Sequence, residues 1–242
     1  MNKLYVVGIG PGAAEDMTVR AAKALEASEV IAGYGVYVDL VKPLFPDKAY
    51  LVTPMRQEVE RCRMALESAL SGRTTAMISS GDAGVYGMAG LVLELAEGLD
   101  VEVEVVHGVT AALSGAAILG APLTHDFAVV RLSDLLTPWE KIEKRLELAA
   151  EADFCVAIYN PASHRRADYL KRACEILMRH ASPDTVCGVA RNIGREGQET
   201  RVMTLRQLAD YPADMFTTAF IGNSQTRAVN GKMVTPRGYK NV

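Results

Sequence analysis

Leu4-Tyr5-Val6-Val7-Gly8-Ile9-Gly10-Pro11-Gly12 opens the chain with an apolar run that ends in a glycine–proline turn. An apolar run without alternation is the pattern of a strand buried on both faces, as in a parallel sheet. We read residues 4–9 as that strand and residues 10–12 as the turn. The helix behind it starts near Thr18, whose hydroxyl suits an N-cap, and carries Ala21, Ala22 and Leu25.

The same rhythm continues outward. Val30-Ile31-Ala32 is a short strand. Residues 57–70 set Val59, Cys62, Leu66 and Ala69 on one helical stripe, with Gly72 as the stop. Thr75 to Ile78 is a strand, about 84–97 a helix and Val101 to Val106 a strand; Gly108-Val109-Thr110 opens a helix ending near Gly120. Alternation of this kind predicts βα units around a mostly parallel sheet.

Gly120-Ala121-Pro122-Leu123-Thr124 reads as a boundary, giving an N-terminal α/β domain over 1–120 and a C-terminal one over 121–242. Beyond it, Phe127 to Leu132 is a strand. Thr137-Pro138-Trp139-Glu140 reads as a capping box that starts a helix running to about 150. Phe154 to Tyr159 is a strand and 166–180 a helix. Strands at 186–190, 200–204 and 216–221, with a short helix at 205–209, follow with little helix between them. That spacing predicts a mixed or antiparallel second sheet of α+β type.

Composition narrows the class. Of 242 residues, 49% are hydrophobic and 23% charged, the balance of a folded globular chain. A net charge of −3 supplies no general field for nucleic acid. No apolar run is long enough to span a bilayer, and the N-terminus reads as a strand rather than a secretion signal, so a cytoplasmic location without membrane attachment is expected. Cys62, Cys155, Cys174 and Cys187 form no CxxC and have no metal-ligand spacing, so reduced thiols and no metal are expected.

Five stretches can carry chemistry. Gly8-Ile9-Gly10-Pro11-Gly12-Ala13 formally matches a dinucleotide fingerprint. Against that reading, Pro11 removes an N–H that a pyrophosphate needs, and no acidic residue ends the second strand. Ser80-Gly81-Asp82-Ala83-Gly84-Val85-Tyr86-Gly87 stands at a strand's carboxyl end, where open α/β sheets bind ligands. Its glycines let backbone come close to a ligand, and Asp82 either accepts hydrogen bonds from one or caps a helix. The other three are His107-Gly108-Val109-Thr110-Ala111-Ala112, Leu132 to Trp139, and Tyr159-Asn160-Pro161, whose Asn160 is expected to be extended because Pro follows it.

The ordered set VGIGPG, SSGDAGVYGMAG, GVTAALSGAAILGAPLTHDF, LSDLLTPW, YNP and TPRGY, spanning Leu4 to Tyr239, resembles the tetrapyrrole (corrin/porphyrin) methylase family. Within it the chain is similar to the precorrin-3B C(17)-methylating branch of cobalamin synthesis. The resemblance implies two α/β domains with a cleft between them and usually a homodimer. S-adenosylmethionine is implied as cofactor and a precorrin-type tetrapyrrole as substrate. By position it implies Pro11 under the cofactor and Ser80, Gly81, Asp82 and Val85 along its methionine and ribose parts. Thr110 and Ala111 follow, with Asn160 and Ala190 near the adenine. His107, where many members of the wider family have Pro, and Arg131 depart from the family pattern.

Methyl transfer from a sulfonium needs alignment and dryness more than covalent help. The contraction of the macrocycle that this branch performs also moves protons; Asp82, His107, His125 and Asp134 are the acid/base candidates. Arg56, Arg165, Arg166, Arg191, Arg195 and Arg237 flank the loops and can pair with substrate carboxylates. The competing readings are another precorrin-carbon methylase, diphthine synthase, a nicotinamide oxidoreductase resting on GIGPGA, and a non-catalytic corrinoid or haem carrier.

Overall fold

The computed structural model describes residues 2–163 and 166–240. The chain divides into two compact units, Met1–Thr110 and Ala111–Val242.

In the first unit the elements run β1 (Lys3–Gly8), α1 (Val19–Ala27), β2 (Val30–Tyr34), α2 (Gly35–Val41), β3 (Ala49–Thr53), α3 (Glu58–Leu70), β4 (Thr75–Ser79), α4 (Ala89–Leu95) and β5 (Glu102–Val106). The sheet is parallel throughout, in the order β3-β2-β4-β1-β5. Leu4, Val6, Ala32 and Met77 pack under α3 and α4 on one face. Val7, Ile31, Ala76 and Ile78 pack under α1 and α2 on the other. Burial on both faces is why these strands are apolar without alternation. Thr18 caps α1, accepting from the Ala21 N–H at 3.1 Å.

From β1 the chain crosses toward β2 and β3; from β4 it crosses back past β1 to β5. The helices leaving β1 and β4 therefore cover opposite faces, and a crevice opens over the carboxyl ends of these two neighbours.

Three sequence expectations shift here. α4 is shorter than 84–97, because residues 83–88 form turns held by Asp82. Val59 is 43% exposed; the buried stripe of α3 is Cys62, Ala65, Leu66 and Ala69. The elements α2 and β3 were not expected at all.

All four cysteines are free and buried. Burial pushes the Cys62 thiol up to about 11 and Cys174 up to about 12, and raises Cys187 further. A thiol reagent at neutral pH is therefore expected to label the folded protein at least tenfold more slowly than the protein in denaturant, as absorbance of the released thiolate would report.

The second unit comprises α5 (Ala111–Leu119), β6 (Gly120–Ala121), β7 (Phe127–Arg131), α6 (Trp139–Glu151), β8 (Cys155–Tyr159), α7 (Tyr169–Leu177), β9 (Val186–Arg191), β10 (Glu199–Thr204), α8 (Leu205–Ala209), β11 (Thr217–Ile221), β12 (Arg227–Val229) and β13 (Lys232–Val234). Its main sheet has the order β10-β9-β11-β8-β7, parallel only at β7–β8, which is the mixed sheet expected. Helices α6, α7 and α8 cover one face. The other face lies under α5, whose Ala112, Ala116 and Leu119 meet Ala157, Ala190 and Phe220.

That packing moves the unit boundary from the expected residue 120 to 110, because α5 buries its apolar side on this sheet. Thr137 does not cap α6: Pro138 is the N-cap, with no side-chain bond. A reciprocal capping box occurs instead at Thr204 and Gln207 on α8.

Candidate functional site

The carboxyl edge of the first unit's sheet gathers three of the five stretches. Gly10 and Gly81 form an antiparallel bridge, the Gly81 N–H donating to the Gly10 carbonyl at 2.7 Å and the Gly10 N–H to the Gly81 carbonyl at 3.1 Å. Both residues adopt positive φ, 77° and 69°. Asp82 ties the edge together. Its Oδ1 accepts from the Gly84 and Val85 N–H groups at 2.8 and 3.2 Å, and its Oδ2 from the Gly108 N–H at 3.0 Å. Asp82 is thus a loop clamp rather than the N-cap of α4, which begins at Ala89.

Glycines 8 and 108 serve this loop packing, not close approach to a ligand. A Cβ at Gly8 would stand 2.6 Å from the Gly81 oxygen, and one at Gly108 only 2.2 Å from it. Of the expected cofactor residues, Pro11 and Gly81 are buried while Ser80, Asp82, Val85 and Thr110 are half-buried along this edge. His107 is exposed beside them, its carbonyl accepting from the Thr18 hydroxyl at 3.3 Å.

This edge does not fit a dinucleotide. The Gly10 and Gly81 N–H groups are spent on each other, Pro11 has none, and Tyr34 rather than an acid ends β2. Hydroxyls at Ser80 and Thr110 with the Asp82 carboxylate suit a phosphate-free ligand bearing an amine and ribose hydroxyls.

In the second unit the carboxyl ends of β7, β8 and β9 share one edge with the start of β11. Asn160 sits there at φ 49°, left-handed rather than extended; Asn tolerates this region better than other side-chain-bearing residues. Asn192, past β9, repeats the conformation at φ 50°. Ala111 is half-buried at the start of α5. Ala190 is wholly buried between α5 and its strand neighbours, so the expected adenine contact at this residue has no surface to work through. The next residues along, Arg191 to Asn192, reach the edge.

Asp134 lies on the same edge, bound by the Tyr169 hydroxyl at 2.7 Å and Arg166 Nη1 at 3.3 Å. Arg166 also donates to the Ser133 and Ser163 hydroxyls at 2.8 and 3.1 Å. Trp139 packs against Tyr169 with the rings tilted by 55° and their centroids 4.5 Å apart, and the Arg172 guanidinium lies 4.0 Å over Trp139. His125 precedes β7 while Asp134 follows it, so the structure sets these two candidates at opposite ends of one strand. Its Nδ1 accepts from the Asp126 N–H at 3.0 Å.

Above all the Tyr169 hydroxyl holds the Asp134 carboxyl below its ordinary range; desolvation opposes this, and its own N–H and Arg166 reinforce it. A depressed carboxylate contributes stability above its unfolded pKa, about 3.9, and that contribution is lost as pH falls through the lower folded value. Asp134 therefore stays ionised at neutral pH and is poorly tuned to cycle a proton. Asp134→Asn is expected to leave the inflections of a kcat–pH profile between about pH 5 and 9 in place. A lost inflection would make it the base after all.

The six arginines read from the sequence divide. Arg191 is claimed by Asp214, with Nε at 2.8 Å and Nη2 at 2.7 Å. Arg166 is claimed by Asp134. Arg195 lies 5.5 Å over the Phe216 ring, Arg56 and Arg237 are exposed, and Arg165 lies outside the described residues. A further arginine, Arg61 on α3, is only 5% exposed.

Doubly wound sheet, clamped glycine loops and an edge without phosphate donors define a non-dinucleotide α/β ligand-binding protein, and comparison with known proteins makes the class definite. A profile of the Tetrapyrrole (Corrin/Porphyrin) Methylases matches residues 3–209, and the chain belongs to that family of methyltransferases. It is 48% identical to the probable cobalt-factor III C(17)-methyltransferase of Salmonella typhimurium, over 98% of this chain and 99% of that protein. It is 42% identical to the precorrin-3B C(17)-methyltransferase of Sinorhizobium sp, over 98% and 96%. The crystal structure of the methyltransferase CobJ superposes with a TM-score of 0.90 at 38% identity, covering 96% of this chain and 99% of that one.

Proposed function

We propose that this methyltransferase places a methyl group on C-17 of a precorrin-3B or cobalt-factor III type tetrapyrrole, with contraction of the macrocycle, in cobalamin biosynthesis. Full-length similarity to two proteins named for that position is the observation that carries the reading. S-adenosylmethionine, when bound, supplies an electrophilic methyl. The first unit's edge suits it: Asp82, Ser80 and Thr110 offer acceptors and hydroxyls, and the Gly10–Gly81 bridge leaves no nest for phosphate. Val85 adds apolar surface at this edge.

Asp82 works as the clamp that holds the Gly84–Val85 and Gly108 backbone in place, which sets the alignment on which methyl transfer depends. His107, exposed at the same edge, carries an imidazole that can both give and take a proton, and is the acid/base group we favour for ring contraction. A homodimer in the cytoplasm accords with the family resemblance.

The test incubates the protein with S-adenosylmethionine and, separately, precorrin-3B and cobalt-factor III, and weighs the products. One added methyl at C-17 is expected. Methylation at another carbon, or tight nicotinamide binding without transfer, would overturn the assignment.

A further inference from the structure

Arg61 is a buried cation with no salt bridge to an acid among the described residues. Its Nε donates to the Thr53 hydroxyl at 2.7 Å and its Nη2 to the Pro54 carbonyl at 3.0 Å. The Tyr34 ring lies 5.8 Å from its guanidinium carbon. Among the described residues no carboxylate lies within 4.0 Å of it. Buried charges are ordinarily paired, because an isolated one loses its hydration without return.

A guanidinium has five N–H donors, and only two are engaged here, one on Nε and one on Nη2. Nη1 has no partner. Yet among the described residues no fully inaccessible side-chain nitrogen or oxygen lacks one, so Nη1 keeps an opening to solvent. The residues around it also matter. Tyr34 ends β2 and Thr53 ends β3, so the group stands on the same carboxyl edge as the Gly10–Gly81 bridge. It sits one to two strands along from β4, about 5–10 Å by strand spacing. An exposed second cation, Arg56, stands in the adjoining turn at φ 67°.

We propose that Arg61 is a carboxylate-binding residue that receives a side-chain carboxylate of the tetrapyrrole substrate and so helps to set which ring is presented. The proposal rests on the tetrapyrrole reading above. A flat carboxylate matches the free edge of the fork, Nη1 with the remaining Nη2 hydrogen, in two parallel bonds. The Tyr34 ring, its centroid 5.8 Å from the guanidinium carbon, adds an aromatic neighbour on the same edge. The other carboxylate that the reaction brings is the cofactor's own. The displacement of Arg61 along the sheet from the β1–β4 crevice favours the substrate.

The test is binding rather than turnover. Uroporphyrin III, a stable porphyrin rich in side-chain carboxylates, is titrated by fluorescence into wild-type protein, Arg61→Met and Arg61→Lys, with S-adenosylmethionine titrated separately by calorimetry. Arg61→Met is expected to fold, since it removes an uncompensated charge. It should weaken porphyrin binding about tenfold or more and leave cofactor binding within about twofold. Arg61→Lys keeps the charge but loses the fork, so a several-fold weakening is expected, and it decides the matter if the Met variant does not fold. Unchanged porphyrin binding in both variants overturns the proposal. So does weakening of the cofactor alone, which would assign the residue to the cofactor's carboxylate. Failure of the tetrapyrrole reading itself would look different: wild-type protein would then not bind the porphyrin.

Discussion

Gly108→Ala is expected to abolish methyl transfer and to lower stability by about 3 kcal/mol or more, at the upper end of overpacking costs. The added Cβ would stand 2.2 Å from the Gly81 carbonyl oxygen, 2.5 Å from the Gly8 oxygen and 2.6 Å from the Gly8 carbonyl carbon. All three are backbone atoms, so no side chain can swing aside; the loops themselves must separate. Separation breaks the Gly108 N–H bond to Asp82 and disturbs Gly81, whose own N–H pairs with Gly10. A displacement of even 1 Å at an aligning loop costs about a hundredfold in rate. Gly90→Ala is the matched control. It lies in α4, its Cβ would meet nothing within 4 Å, and alanine there should be neutral or stabilising by up to about 1 kcal/mol. Thermal unfolding and single-turnover methyl transfer on both variants test the pair. Equal behaviour of the two would show that the loops have slack.

Much of this geometry was readable beforehand. Leu4 to Ile9 and Thr75 to Ile78 are apolar on both sides because helices cover both faces, and that double burial is what an unalternating run records. Thr18 behaves as the cap that its residue type suggests. Ala49 to Thr53 is a partly exposed edge strand, yet its run AYLVT is as apolar as VIAGY and TAMIS beside it, so its pattern was legible as a strand. Asn230-Gly231 joins β12 to β13, both residues at positive φ, and the Asn-Gly pair is a strong hairpin signal in the sequence itself. The losses have physical causes. Gly120-Ala121-Pro122 carried the punctuation of a boundary, but a boundary follows where a helix packs, and α5 packs forward. Arg61 was invisible because a cation on a helix reads as solvated; only burial without an acid singles it out.

Asp82→Ala is expected to be the second most damaging change, and Asp82→Asn should separate a clamp from a proton carrier. Alanine frees three backbone N–H groups at once: those of Gly84, Val85 and Gly108. Water can reach exposed Gly84, but Val85 and Gly108 are half-buried, so the loss is about 2 kcal/mol, or roughly 4–8 °C in Tm for a chain of this size. Asparagine can keep Oδ1 on Gly84 and Val85 but sets an amide NH2 against the Gly108 N–H, donor to donor. A clamp therefore predicts a graded series in Tm, wild type above Asn above Ala, with the KM for S-adenosylmethionine rising in the same order. A proton carrier predicts otherwise. Both variants would lose kcat equally, because neither can take up a proton at neutral pH, and a kcat–pH inflection would vanish. The three N–H groups already held by this carboxylate favour the graded series.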